Sequence, residues 1–554
     1  MSNRTTLRRR VLVIGLDGAT FDLLLPWLEE GLLPELSRIW RRSSYAPLRT
    51  TIPPITASAW TSFQTGKNPG KHGLFDFTQY IPGSYETPFV NARSVQSEPL
   101  WAILSRHDKK VVVINVPVTY PPRAVNGYLV SGLLTPSTKA EFTYPPGLFQ
   151  DIIAATGDYE ILVPVREFLR LGVRDFVDRL RYVSRKREEA ARYLMGRVDW
   201  DFFMVHFHSA DVLQHALWSH LDPSHPEYSA SREEDRQHVR SYYQELDRLV
   251  GSLVKEAGED VTTVLMSDHG FGPAYKRFHI NQWLATQEFL TIRADSLHKR
   301  TLDRFENLVR RIDPHRLRWR LIAPFSKRET LIRRFTQEAL IDWTTTKAFA
   351  LPSSAVIRLQ INCVGREPLG IVEPGSEYET VRDELAERLL ELRDPKTGGR
   401  VVEDVFKREE IYSGPALDLM PDLIGQPAEG YQIATRFRGN LLFSDLAEGY
   451  SGNHRMEGIL IMAGPDVVPG QIVQQPHIVD LFPTILTLMD LPLPPDLDGR
   501  VLTEALSPDY LEAHPIRSEE REPPPPSPPQ PDQTYSNEDA DEIRDRLKGF
   551  GYLD

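Results

Sequence analysis

The residues best suited to chemistry in this sequence are aspartates and histidines that flank short apolar segments. Asp17 follows VLVIGL, Asp268 and His269 follow VTTVLM after one serine, and His454 lies shortly before ILIMA. Carboxylate oxygens and imidazole nitrogens bind cations such as zinc and manganese, so this pattern indicates a metal site. Any one of these residues alone is more often a turn aspartate or a structural histidine.

A further pair of candidates lies in the stretch HFHSADVLQHALW. Asp211 and His215 are four positions apart and share one face of a predicted helix, which suits two ligands of one metal ion. His206 and His208 end the apolar segment that precedes this helix.

A candidate nucleophile follows the proline-containing stretch TTIPPI. The next residue, Thr56, lies near the start of a predicted helix. A hydroxyl at a helix N-terminus experiences the positive end of the helix dipole, which favours an alkoxide and binds phosphate. Without the other candidates, Thr56 would be interpreted as an ordinary helix cap.

Five apolar segments must position these side chains. They span residues 11–16, 110–116, 202–207, 261–266 and 459–463, and they alternate with helical stretches. This order predicts an α/β fold with a mostly parallel central sheet and helices on both faces. Ligand sites in such sheets lie at the carboxyl ends of the strands, where most of the candidates are expected.

The sequence predicts one catalytic domain over residues 1–515, followed by a linker and a short helix. Helical insertions at about 140–200 and 290–345 are basic, and they either cap the site or form solvated surfaces. Residues 516–535 are a proline-rich linker, and residues 536–554 form a helix with apolar Ile543, Leu547 and Phe550. Every candidate precedes residue 515, so catalysis is expected to survive removal of 516–554.

Composition excludes several classes of protein. The 554 residues are 41% hydrophobic, which is typical of a globular protein, and no segment is long enough for a membrane span. The N-terminus has no signal-peptide cleavage site, so a cytoplasmic location is predicted. The single cysteine, Cys363, excludes a thiolate cluster, and the net charge of -12 argues against a polynucleotide partner.

In order and spacing, these motifs resemble the type I phosphodiesterase/nucleotide pyrophosphatase branch of the alkaline phosphatase superfamily, from about residue 11 to 500. The pair Thr65-Gly66, nine residues after Thr56, matches the end of the family's nucleophile motif. The resemblance implies an alkaline-phosphatase-like fold with helical cap insertions and two divalent ions, zinc or alternatively manganese. It implies that one ion is bound by Asp211, His215 and His454, and the other by Asp17, Asp268, His269 and the Thr56 oxygen.

The implied activity is hydrolysis of phosphodiester or pyrophosphate bonds through a phosphothreonine intermediate, on a small phosphate ester that is acidic or nucleotide-like. Ala59 departs from the family pattern, which has Asn there, and this leaves preference for diesters over monoesters open. The alternatives are a phosphomonoesterase or phosphoglycerate-mutase-like enzyme and, less favoured, a non-catalytic metal-bearing module. No substrate-binding motif is recognised, although the basic residues Arg311, His315, Arg316 and Arg318 are candidates, and no oligomeric state is indicated.

Overall fold

The structure is a computed structural model that describes residues 8–229, 232–293, 340–437, 441–446, 449–520 and 535–552. Within these residues the strands are β1 (Arg10–Leu16), β2 (Ser43–Arg49), β3 (Val111–Ile114), β4 (Gly127–Val130), β5 (Thr143–Tyr144), β6 (Phe202–Phe207), β7 (Val261–Met266), β8 (Gly270–His279), β9 (Ala348–Ala350), β10 (Ile357–Ile361), β11 (Val402–Lys407), β12 (Leu423–Pro427), β13 (Gly430–Ala434), β14 (Phe443–Asp445), β15 (Gly452–Arg455) and β16 (Glu457–Ala463).

The α-helices of the same residues are α1 (Phe21–Glu29), α2 (Pro34–Trp40), α3 (Thr56–Thr65), α4 (Pro69–His72), α5 (Leu100–Arg106), α6 (Leu148–Thr156), α7 (Glu167–Arg197), α8 (Ser209–Leu221), α9 (Glu233–Ala257), α10 (Ile280–Thr286), α11 (Ser376–Glu391), α12 (Arg408–Ile411), α13 (Leu481–Leu488), α14 (Pro508–Ala513) and α15 (Asn537–Phe550). Short 3-10 turns lie at Leu417–Leu419, Ile478–Asp480 and Thr503–Ala505.

An eight-stranded sheet in the order β2-β16-β7-β1-β6-β3-β4-β5 forms the centre of the protein. Strands β7, β1, β6, β3 and β4 run parallel, whereas β16 is antiparallel to both β7 and β2. The predicted α/β class with a mostly parallel central sheet is therefore confirmed.

Alternation along β1 explains why both faces of the sheet are covered. Leu12 and Ile14 point into one apolar cluster, which includes Val183 of α7, while Val11 and Val13 point into a second cluster on the opposite face. Successive side chains of a strand enter opposite faces, so a strand buried on both sides must be apolar throughout.

Two smaller sheets stand beside the central one. The antiparallel sheet β11-β12-β10-β9 packs with α11 around its own apolar cluster, which contains Ile357, Leu359 and Leu385. The other sheet is built on β8, which pairs with β13, β14 and β15. β8 follows β7 of the central sheet, and β15 precedes β16 of the same sheet. These two strands therefore connect the central sheet to the sheet built on β8.

The structure describes the first predicted helical insertion, 140–200, but only the ends of the second, 290–345. Residues 140–200 contain α6 and α7, and α7 packs on the same cluster as the central strands. Most of 290–345, with Arg311, His315, Arg316 and Arg318, lies outside the described residues. After α14, Glu519 donates its backbone N–H to the Leu493 carbonyl, which places the beginning of the proline-rich segment against the loop that follows α13.

None of the helices in the described ranges combines the length and apolar character that crossing a bilayer requires.

Candidate metal centre and nucleophile

Asp17 leaves the carboxyl end of β1 at a tight turn. Gly18, the next residue, has φ +68°, and a Cβ there would lie 3.0 Å from the ring of Phe271. One carboxylate oxygen of Asp17, Oδ2, lies 2.8 Å from His206 Nε2 and 3.0 Å from His208 Nδ1. The sequence segment that forms β1 therefore delivers a carboxylate to the centre of the sheet edge.

Asp268 and His269 follow β7, the parallel neighbour of β1, so they reach the same edge. His269 Nε2 lies 3.2 Å from Asp268 Oδ2 and 3.5 Å from Asp17 Oδ1. Thr56 Oγ1 lies 3.4 Å from the same nitrogen. These four side chains therefore converge on a space that one cation fits.

Thr56 is the first residue of α3, and Ile55 is the residue that precedes the helix as its N-cap. The unsatisfied N–H groups of the first turn thus lie beside the Thr56 hydroxyl. α3 approaches β1 closely because Gly15 has no side chain: a Cβ there would lie 2.5 Å from the Trp60 ring. Ala59 is fully buried in the apolar cluster around Trp60, where it fills a packing position.

Asp211, His215 and His454 form the second half of the centre. His454 Nε2 lies 3.2 Å from Asp211 Oδ1, and His215 Nε2 lies 3.5 Å from the same oxygen. The two imidazole Nε2 atoms are 3.0 Å apart. α8 supplies the first two side chains from one face, and β15 brings His454 against them through its pairing with β8.

The three histidines of the predicted ligand set are oriented in the same way. Each Nδ1 faces a main-chain carbonyl: Gly452 for His215 at 3.2 Å, Gly270 for His269 at 3.0 Å, and Pro54 for His454 at 2.8 Å. This contact fixes Nδ1 as the protonated nitrogen and directs the free lone pair of Nε2 into the centre.

Burial keeps two of these imidazoles neutral. It lowers the pKa of His215 to about 4 and that of His269 to about 3. A neutral imidazole is the form that binds a metal ion, so both side chains have the protonation state that coordination requires at neutral pH.

The pKa values of two carboxyl groups in the centre differ strongly from their usual values. Burial opposes ionisation of Asp17, yet hydrogen bonds from His206 and His208 hold its pKa well below the usual value. Burial, together with the neighbouring charge of Asp17, raises the pKa of Asp268 well above its usual value. Within the described part of the chain, no hydrogen bond reaches Asp17 Oδ1, Asp211 Oδ1 or Asp268 Oδ2. Cations placed among these oxygens would satisfy them, and the donor set fits divalent ions.

The structure thus brings together all seven residues predicted as ligands or nucleophile, and it adds three that the prediction did not include. His206 and His208 contact Asp17. Their position at the end of an apolar segment is the sequence feature that could have indicated them. The third is Tyr552, whose hydroxyl donates to Asp211 Oδ2 at 2.8 Å. Tyr552 thus adds a contact from beyond residue 515 to the candidate residues, all of which precede that position.

Comparisons with known proteins identify a family and similar solved structures. A family model described as type I phosphodiesterase / nucleotide pyrophosphatase matches residues 11–458. Phosphonoacetate hydrolase from Sinorhizobium meliloti 1021, solved in complex with phosphonoformate, is 17% identical with a TM-score of 0.55, over 86% of this chain and 94% of its own. Human ectonucleotide pyrophosphatase / phosphodiesterase 5 is 13% identical with a TM-score of 0.47, over 91% of this chain and 99% of its own. A search among curated proteins gives no match.

Proposed function

Because this chain belongs to the type I phosphodiesterase/nucleotide pyrophosphatase family, we propose that it hydrolyses phosphodiester or pyrophosphate bonds with two divalent metal ions and Thr56 as nucleophile. Family membership makes the chain a phosphoester hydrolase. The metal count, the covalent intermediate and the choice of diester are our proposals.

The observation that carries the proposal is the convergence of two ligand sets on one nucleophile. Asp17, Asp268 and His269 surround one space beside Thr56, and Asp211, His215 and His454 surround a second. Bound metal ions would supply Lewis-acid charge that favours the Thr56 alkoxide and stabilises the departing oxygen. The nitrogen and carboxylate donors suit zinc, and the three carboxylates also admit manganese.

The proposed reaction proceeds in two steps that involve groups of the chain itself. The Thr56 hydroxyl gives up its proton, its oxygen attacks phosphorus to form an Oγ1–P bond, and the bond from phosphorus to the leaving oxygen breaks on the opposite side, with a proton taken up by the leaving oxygen. N–H groups in the first turn of α3 are placed to stabilise charge on the phosphoryl oxygens. Water then attacks the phosphothreonine from the vacated side, which breaks the Oγ1–P bond and restores the Thr56 hydroxyl.

The substrate proposed is a small phosphate ester with two substituents on phosphorus or a pyrophosphate link, such as a nucleotide derivative. The test is a panel of p-nitrophenyl phosphate, bis(p-nitrophenyl) phosphate, a nucleotide pyrophosphate and an aryl sulfate, assayed with zinc or manganese. We expect the largest kcat/KM for a diester or pyrophosphate. A kcat/KM for the monoester that exceeds every diester value about a hundredfold, a gap of roughly 2.7 kcal/mol, would replace this proposal with a phosphomonoesterase.

A further inference from the structure

The described segment of residues 535–552 brings Tyr552 to the metal centre. Besides its hydrogen bond to Asp211, the Tyr552 ring stacks on Phe77 with centroids 4.8 Å apart and planes inclined by 17°. Its ring also meets those of His215 and His454 at centroid distances of 5.6 and 5.7 Å. Tyr552 is thus in contact with all three side chains of the second ligand set, Asp211, His215 and His454.

Specific contacts hold this segment in place. α15 buries Ile543, Leu547 and Phe550 along one face. Phe550 packs edge-on against His208, with ring centroids 5.2 Å apart. The docked face is therefore apolar from the middle of the helix to its end.

Polar contacts fix the same helix at both ends. The Gly549 carbonyl accepts hydrogen bonds from the Arg166 backbone N–H and from the Tyr450 hydroxyl, both at 2.9 Å. Before the helix, the Tyr535 hydroxyl donates to the Leu134 carbonyl at 2.9 Å. These directional contacts define the docked position of the segment.

The turn after α15 aims Tyr552 at the centre. Gly551 has φ +78°, and a Cβ there would lie 2.6 Å from the Tyr450 ring. Only glycine combines this left-handed conformation with so close an approach, so the chain reverses here and inserts the next side chain inward.

The centre is closed to solvent when this segment is docked. None of the seven ligand or nucleophile side chains is more than 4% exposed, and Thr56 is fully buried. A hydrolase must admit its substrate to the nucleophile, so this closed arrangement has no room for a substrate. The phenol side chain of Tyr552 resembles the leaving group of an aryl phosphate ester. Tyr552 also occupies an oxygen of Asp211, a residue that the proposed function assigns to metal binding.

We propose that residues 535–552 form an autoinhibitory tail, in which Tyr552 occupies the leaving-group position as a pseudosubstrate and must withdraw before turnover. This inference rests on the proposed function in treating the centre as catalytic. The ring of Phe77, on which Tyr552 stacks, is the surface that a planar group of the substrate takes when the tail is released.

The test keeps the full chain during folding. Residues 524–530 are replaced by the recognition sequence of a site-specific protease, and hydrolysis of bis(p-nitrophenyl) phosphate is measured before and after cutting and removal of the tail. Because inhibition reduces the fraction of open enzyme, we expect kcat/KM to rise about tenfold or more on cutting. Unchanged or lower kcat/KM after cutting would overturn the inference, since the tail would then be neutral or needed for the site.

Point variants in the uncut protein show whether Tyr552 is the residue responsible for the inhibition. Tyr552→Ala removes both the ring and the hydroxyl and should raise kcat/KM, whereas Tyr552→Phe keeps the stacking on Phe77 and should raise it less. Asp541→Asn is the matched control, because Asp541 lies on the outer face of α15 in an ion pair with Arg544. Equal activation by Asp541→Asn would contradict a specific role for Tyr552.

A binding measurement separates failure of this inference from failure of the proposed function. A fluorescently labelled peptide of residues 535–554 should bind the cut, tail-free protein, and the same peptide with Tyr552→Ala should bind at least about tenfold more weakly. If no ester is hydrolysed before or after cutting, the proposed function is wrong, yet this anisotropy measurement still tests the docking. Equal binding of the two peptides would overturn the role assigned to Tyr552.

Discussion

At the scale of single residues, Asp17 is a proposed metal ligand whose position is set by contacts with other side chains. His206 contacts its carboxylate through Nε2, and His206 Nδ1 lies 3.0 Å from the Asn115 carbonyl. Both nitrogens of this ring are therefore engaged, and the ring itself packs against Trp60 with centroids 4.8 Å apart. We infer that His206 is a positioning residue that fixes Asp17 for coordination.

The first prediction follows from this contact. His206→Asn should lower metal affinity about 10- to 100-fold, as loss of outer-shell partners of metal ligands does elsewhere. The measurement is competition for zinc with a calibrated chelator. His225→Asn is the control, since His225 is also buried and faces a main-chain carbonyl, that of Ala274 at 3.2 Å. Equal affinities in the His206→Asn variant and the unmodified protein would refute the positioning role.

The second prediction concerns the nucleophile. Thr56→Ala should lower turnover at least about a thousandfold, because the substitution removes the attacking oxygen, while the remaining six ligands keep the metal. Thr56→Ser should retain part of the activity. Mass spectrometry of protein quenched during turnover should detect phosphate on the peptide containing Thr56. Near-normal turnover of Thr56→Ala would require another nucleophile, with Ser58 or a water molecule as the candidates.

The sequence predicts the seven principal side chains of the centre because six lie close to strand ends or on one helix face. Thr56 depends on the family resemblance, since a threonine at a helix start is common. Tyr552 has no such signal: it is 341 positions from Asp211, and its contact depends on a helix docking across the fold. Short-range patterns cannot indicate a contact of that kind.

At the scale of elements, α3 and α4 are joined by a buried histidine. His72 Nε2 lies 3.0 Å from the Ser62 hydroxyl, and His72 Nδ1 accepts a hydrogen bond from the Leu74 backbone N–H at 3.2 Å. Only the neutral ring with its proton on Nε2 satisfies both contacts. Burial, with a smaller effect from Lys67, lowers the pKa of His72 to about 3.

The third prediction is a pH dependence of stability that originates at His72. The folded-state pKa is below the unfolded value, so the folded protein binds fewer protons, and stability present above about pH 6.5 is lost as pH falls. At pH 5 this loss is about 2 kcal/mol for one such histidine. Denaturant unfolding at pH 7 and pH 5 should show a smaller decrease for His72→Gln than for the unmodified protein. Equal decreases would mean that His72 does not contribute.

The sequence predicts the positions of the central strands better than it predicts their directions in the sheet. Each of the five apolar segments contains a strand of the central sheet, but an apolar segment reads the same in either direction, so the antiparallel β16 could not be distinguished. The smaller sheets were not predicted. β11, for example, has only one fully buried residue among six, so it lacks the uniform apolar pattern of a central strand.

At the scale of the whole molecule, the centre concentrates acidic groups in the interior. Asp17, Asp211 and Asp268 are all fully buried, and the charge of Asp17 opposes ionisation of Asp268. Cations that bind only the folded protein neutralise this charge, so metal binding and stability are linked.

The fourth prediction is that metal removal lowers the melting temperature. At a free metal concentration about a hundred times the dissociation constant, binding at one site adds roughly 2.7 kcal/mol, which corresponds to a shift of about 2 °C for a chain of 554 residues. Scanning calorimetry with zinc and with chelator measures the shift. Asp211→Asn should reduce it, whereas Asp247→Asn, a buried aspartate that bonds the Leu36 backbone N–H at 2.7 Å, should leave it intact. A chelator-insensitive melting temperature would argue against structural coupling to metal.

The position of β1 in the sheet has a consequence for synthesis on the ribosome. β1 is made early yet lies between β6 and β7, and its partner His206 follows Asp17 by 189 positions. At roughly 5–20 residues per second, the nascent chain carries the unpaired segment VLVIGL for about 10–40 seconds before a neighbouring strand emerges. During that interval an apolar strand with two open edges is exposed to other nascent chains, and we expect it to be the segment that a ribosome-associated chaperone must shield.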